Sequence, residues 1–175
     1  MGILRRIFST DFRRAVAAEA EGDYLLAAQF YALCEEKEKV VDMHLALARQ
    51  TEDGDHKARE LRLALHFAGE DDRRRTMVLR LLAEVLLEQG RARGVETQAG
   101  RRRLEEAAAL LEQGEGWQQA GDCYLELGRR ERAAEAYARG GLVDRVEQVL
   151  GEEERQRERA MAEDRLFKDH ELELR

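Results

Sequence analysis

The side chains able to do chemistry are few and scattered. Four histidines, His44, His56, His66 and His170, offer imidazoles for a metal or for proton transfer. No two stand at the i, i+3 or i+4 spacing that sets a pair on one face of a helix, so helical metal ligation is not expected, and each reads as a helix-surface or groove residue. The single serine, Ser9, has no recognisable base partner. Cys34 and Cys123 show no paired spacing and fall in apolar helical patterns, which reads as buried, inert thiols rather than redox centres. Carboxylates are abundant, but their pattern is that of solvated helix faces. No glycine-rich phosphate loop follows a strand. Neither catalysis nor a cofactor nor a metal is expected.

The arginines form the other group with a chemistry of its own. Arg73, Arg74 and Arg75 open one helical pattern, and Arg101, Arg102 and Arg103 open the next, close to Arg91 and Arg93. Arg91, Arg93, Arg101, Arg102 and Arg103 are therefore a candidate basic patch. A solvated face, a site for an acidic protein partner and a contact with a nucleic-acid backbone are the three readings. No aromatics interleave to stack bases, so nucleic acid stands last.

These groups must be positioned by helices. The 175 residues hold no proline, and a β-rich or loop-rich chain would use proline in turns and edges. Charged residues make up 38% and aromatics only 6%, with alanine and leucine leading the apolar set, which is helix-former composition. An apolar share of 43% is too high for disorder over most of the chain. The net charge of −7 is uneven: −3 over residues 1–70, +4 over 71–103 and −8 over 104–175, unlike a general nucleic-acid binder. Arginine far outnumbers lysine, which points to a GC-rich, bacterial genome. Arg5 and Arg6 interrupt the apolar start, so no signal peptide is read, and no stretch approaches the roughly 20 apolar residues of a membrane span. A cytoplasmic protein is expected.

Two segments repeat one another. In GDYLLAAQFY, Gly22 precedes Ala27-Ala28 and Tyr31; in GRRERAAEAY, Gly128 precedes Ala133-Ala134 and Tyr137 at the same spacing. Ahead of the second stand Trp117, Ala120, Gly121 and Tyr124 in WQQAGDCYLELG. Small residues at Ala120, Gly121 and Ala133 let two helices approach, and Trp117, Tyr124 and Tyr137 fill the gaps. With this spacing the chain resembles tetratricopeptide repeat proteins. The two glycines lie 106 residues apart, about three periods of roughly 34 residues. Weaker units fill the interval: 38–52 with 55–68 around Gly54-Asp55, then 72–89 ending at Gly90, then 101–113 after a connection from Arg91 to Gly100. Gly22, Gly54, Gly90 and Gly128 are each read as punctuating a helix end.

The resemblance implies an all-α, right-handed superhelical solenoid of antiparallel helix pairs. About four pairs are expected, plus a capping helix over Leu142–Leu150 and a charged C-terminal helix or tail. Residues 1–150 would form the repeat domain, with an amphipathic segment at 1–12 (Ile3, Leu4, Ile7, Phe8 and Phe12) that covers the first repeat, docks a partner or touches a membrane surface. Residues 151–175 would form the tail, whose apolar cluster is Leu166, Phe167, Leu172 and Leu174. Tetratricopeptide arrays generally serve as scaffolds, holding a partner segment in a groove lined by their first helices. Transferred to the matching repeats, groove positions are Ser9, Phe12, Val16 and Glu19, then Glu115, Gln118, Asp122 and Leu125. The chain has no asparagine, and its four lysines lie away from these positions, so the carboxylate grip of chaperone-tail binders is not expected. An adaptor for a protein partner is the leading expectation. Self-assembly into a homo-oligomer through the apolar ends is the alternative, and a peripheral membrane adaptor a third.

Overall fold

In a computed structural model of the chain, which describes residues 10–70, 73–151 and Met161, helices follow one another without a strand among the described residues. They are α1 (Thr10–Glu21), α2 (Tyr24–Leu33), α3 (Lys37–Gln50), α4 (Gly54–Phe67), α5 (Arg75–Arg93), α6 (Gln98–Gln113), α7 (Trp117–Glu126) and α8 (Arg130–Arg139). A further helical stretch covers 143–151. The chain divides into two compact units, Met1–Glu115 and Gly116–Arg175. In the first, each helix from α1 to α6 packs on its neighbour in sequence; in the second, α7 packs on α8.

Local chemistry sets the helix starts. Asp23 accepts a hydrogen bond from the Leu26 amide at 3.1 Å, and Asp53 accepts from the Asp55 and His56 amides at 2.8 and 3.2 Å. Thr97 Oγ1 accepts from the Gly100 amide at 3.0 Å. Each side chain satisfies donors that have no partner inside the helix. The amides of His56 and Asp55 also hold the Asp53 carboxyl below its ordinary value.

The core of the first unit begins with Ala15, Ala18, Ala27, Ala28, Tyr31, Val40 and Met43, against which Phe12, Tyr24, Phe30 and Phe67 are half-buried. Small residues on α1 and α2 bring the backbones together around one large ring, Tyr31. Further along, Leu61, Leu82, Leu86, Leu104 and Leu111 are fully buried. Each such leucine contributes about 1.5–3 kcal/mol through apolar area removed from water.

Two boundaries differ from the sequence reading. Helix α5 does not stop at Gly90 but runs on to Arg93, and α6 begins at Gln98, so the connection is four residues, 94–97. Gly90 is buried inside α5 because α6 crosses there: a Cβ on it would stand 2.8 Å from Leu104 Cγ. A Cβ on Gly100 would stand 2.0 Å from the Gly94 carbonyl oxygen. These glycines mark close contact between helices. Gly54 is likewise no terminator; it is the first residue of α4, whose start is set by Asp53. Gly22 and Gly128 do end helices, with φ of 81° and 72°.

The sequence repeat recurs in the backbone at the same offset. The Asp23 amide donates to the Ala18 carbonyl at 2.9 Å, and the Arg129 amide to the Tyr124 carbonyl at 2.8 Å. After the second helix, the Glu36 amide donates to the Tyr31 carbonyl at 3.0 Å, and the Leu142 amide to the Tyr137 carbonyl at 2.9 Å. The residues just before, Glu35 and Gly141, both take the left-handed conformation, at φ 61° and 69°. Helices α1, α2 and α3 thus have counterparts in α7, α8 and the stretch 143–151.

Candidate functional site

Partner-facing positions were expected on α1 and α7. Ser9 lies outside the described residues, as do Ile3, Leu4, Ile7, Phe8, His170 and the cluster Leu166, Phe167, Leu172 and Leu174. On α1, Phe12 is turned inward; its ring meets Tyr31 edge-on at 5.8 Å. Val16 is open to solvent, at 46% exposure. Glu19 accepts a short hydrogen bond from the Tyr31 hydroxyl and pairs with Lys39 at 3.6 Å. In the second unit, Glu115 lies before α7 in a loop, at φ 56°, Gln118 is exposed and Leu125 is half-buried. Asp122 accepts from the Tyr137 hydroxyl at 2.5 Å and from Arg145 Nη2 at 2.5 Å. Of the described groove positions on the first helices, Val16 and Gln118 are exposed, and Leu125 is half-buried.

Glu19 and Asp122 belong instead to two similar clamps, whose carboxylates stand twelve and fifteen residues before their tyrosines and so about one turn apart on the first helix. In each, a buried tyrosine of the second helix donates to a carboxylate of the first. A cation eight residues further on closes the group from the helix that follows. Lys39 Nζ lies 5.7 Å from the Tyr31 ring centroid, and the Arg145 guanidinium 5.0 Å from that of Tyr137. Arg145 Nη2 also donates to the Tyr137 hydroxyl at 3.0 Å. Burial first, and then the Asp122 carboxylate that accepts its proton, push the Tyr137 phenol up to about 12. The same two causes, with Glu19 as acceptor, raise Tyr31 further. Hydrogen bonds to Tyr137 and Asp122 raise the Arg145 guanidinium. Each tyrosine, bonded through its hydroxyl to a carboxylate of the preceding helix, fastens the two helices together.

Two members of the basic patch, Arg93 and Arg103, come together around one acid. Arg93 Nη2 and Arg103 Nη2 each approach Asp55, at 3.7 Å, and Gln89 Nε2 donates to the same carboxylate at 3.1 Å. Arg103 also reaches Glu106, which pairs with Arg62 at 2.7 Å. The row Arg93–Asp55–Arg103–Glu106–Arg62 therefore crosses α4, α5 and α6. Arg91, Arg101 and Arg102 are exposed beside it. The other triplet is structural in two of its three members. Arg74 binds Asp42 at 2.6 Å and the Glu38 carbonyl at 3.1 Å, and Arg75 donates to the Ala68 carbonyl at the end of α4.

His44, expected at a helix surface, is buried between α3 and α4. Its Nδ1 is 2.8 Å from Glu60 Oε2, and its ring stacks on Phe67. Cys34 is half-buried at the end of α2, Cys123 is buried in α7, and neither is in a disulfide. Among the described residues no three or more His, Cys, Asp or Glu side chains gather as metal ligands, and no helix is long and apolar enough to cross a membrane.

Sequence reasoning missed the outer face of α2, where Leu25, Leu26 and Leu33 stand 52%, 40% and 71% exposed. The signal was available: ten successive residues, YLLAAQFYAL, carry no charge in a chain that is 38% charged. The clamps were legible too, as a cation eight residues after each repeat tyrosine. No family model matches the chain, and no curated protein and no solved structure matches it.

Proposed function

We propose that this chain is a non-catalytic scaffold or adaptor of the tetratricopeptide type, which binds a protein partner through the exposed faces of its first helices. The observation that carries the proposal is the recurrence of one three-helix unit in its backbone bonds and left-handed end residues, with a buried tyrosine bonded to a first-helix carboxylate in both copies. A unit built this way spends its buried groups on holding helices in register and leaves surface for binding. Within this reading consecutive helices pair antiparallel, the pairs wind as a right-handed superhelix, and the protein works in a bacterial cytoplasm. Val16 on α1 and Gln118 with Leu125 on α7 are the contact positions. Phe12, Glu19 and Asp122 act one step behind, fixing the tyrosines on which those helices rest.

The test is a pull-down with the full chain from lysate of its source cell, comparing wild type with Val16→Arg and Leu125→Arg. A dominant partner recovered by wild type and lost with either variant supports the proposal. Recovery that is indifferent to both would refute the first-helix faces as the contact. Phe12→Glu is not a suitable probe, because it disturbs the packing around Tyr31.

A further inference from the structure

We propose that the chain's own N-terminal segment, residues 1–9, folds back and seats Phe8 and Leu4 in an open cavity at one end of the first unit. This goes beyond the adaptor reading and uses none of its contact positions. The cavity measures about 360 Å³ and is lined by Ala32, Glu35, Lys37, Val40 and Phe67, from the end of α2, the start of α3 and the end of α4. Its floor is apolar: Val40 is buried, and the half-buried Phe67 ring is backed by His44. Glu35 and Lys37 stand exposed at the mouth. A closed apolar cavity of about 150 Å³ already holds a benzene ring, so this one has room for a phenyl ring and a second apolar side chain.

The path of the chain selects the occupant. Helix α1 begins at this same end of the unit. The Phe12 ring near its start meets Tyr31, the residue before Ala32, at 5.8 Å, and Lys39, the residue before Val40, lies 5.7 Å from the same ring. Packed helix axes stand about 8–10 Å apart, so the cavity lies within about 20 Å of Thr10. Nine residues span about 14 Å as a helix and about 30 Å when extended, so the segment ahead of Thr10 can reach it. That segment holds Ile3, Leu4, Ile7 and Phe8, and Leu4 and Phe8 are four apart, the spacing of one helical side.

Charge agrees with this choice. The segment carries Arg5 and Arg6 and no acid, whereas residues 35–38 hold three acids and one base. Glu38 is met by Arg74, and Glu35 is open at the mouth. A tethered segment also acts at about millimolar effective concentration, which a free partner or a second copy at micromolar level does not match.

The experiment is nuclear magnetic resonance of the isotope-labelled full chain. Phe8 should show through-space contacts to the Ala32 and Val40 methyl groups, and Phe8→Asp should abolish them and move both methyl signals. In a mixture of differently labelled copies the contacts should stay within one copy. Trypsin gives a second reading, because it cuts after Arg5 and Arg6. Ala32→Glu, at an exposed position, should release the segment and speed those two cuts about tenfold, with circular dichroism unchanged. Methyl signals that ignore Phe8→Asp overturn the proposal, whether the segment then meets a membrane, a partner or solvent. Contacts found only between copies overturn it as well, and so do equal cutting rates in Ala32→Glu and wild type.

Discussion

Adding a single methyl group at Gly121 should undo the second clamp. A Cβ there would stand 2.4 Å from Tyr137 Cε1 and 2.6 Å from its Cδ1, well inside contact distance. The Tyr137 ring is fully buried, and its hydroxyl is fixed by Asp122 and Arg145, so it cannot withdraw without loosening both bonds. Forcing the ring aside costs about 1–3 kcal/mol. Weakening a hydrogen bond to a charged acceptor adds about 1.5 kcal/mol. The better helix propensity of alanine returns about 1 kcal/mol. Gly121→Ala should therefore destabilise by about 2 kcal/mol, a fall of about 4–8 °C in Tm for a chain of this size. Thermal and urea unfolding followed by far-ultraviolet circular dichroism measures it. The cause is isolated in a Tyr137→Leu background, where the same substitution should be neutral or stabilise by up to about 1 kcal/mol. A stabilised Gly121→Ala, or an equal cost in both backgrounds, would refute the close approach as the reason for glycine.

Two further predictions concern the same architecture. Glu35 holds a left-handed conformation at φ 61° without being glycine. Its strain of about 1–2 kcal/mol exceeds the entropy that glycine adds to the unfolded chain, so Glu35→Gly should raise stability by about 0.5–1 kcal/mol; a lower Tm would contradict this. At alkaline pH, Tyr137 should ionise near 12, above its ordinary 10.0. Because the folded value is raised, its contribution to stability is whole below about pH 10 and is lost as pH climbs through 12. Ultraviolet difference spectra should show this late phase vanish in Tyr137→Phe and move to lower pH in Asp122→Asn; an unmoved phase in the second variant would count against the carboxylate.

What could be read in the sequence was what short-range spacing determines. The alanine pairs, the repeat tyrosines and the helix-ending glycines at 22 and 128 report backbone approach and left-handed turns, and these recur in the fold. Gly90 misled because glycine has two uses: it ends helices, and it admits a neighbouring helix. Only the position of Leu104, fourteen residues away, distinguishes them. Phe12, Glu19 and Asp122 were assigned to a partner by transfer from the resemblance, which says nothing of what this chain itself places beside them. Within the arginine triplets, Arg74, Arg75 and Arg103 are engaged by the chain itself. Asp42 and Asp55, which pair with Arg74 and Arg103, belong to other helices, and a run of like charges says nothing of the acids folding sets beside it. His44 read as surface because its partner, Glu60, sits on the following helix.

The placing of each clamp's cation also orders events in time. Lys39 follows Tyr31 by eight residues, and Arg145 follows Tyr137 by the same number, each from the helix after the pair it secures. A chain leaving the ribosome N-terminus first has α1 and α2 complete while the charge that fastens them is still unmade. At about 5–20 residues per second, the eight residues between tyrosine and cation take roughly a second to add. Each of the two helix pairs that carry this clamp is thus closed by the helix made after it.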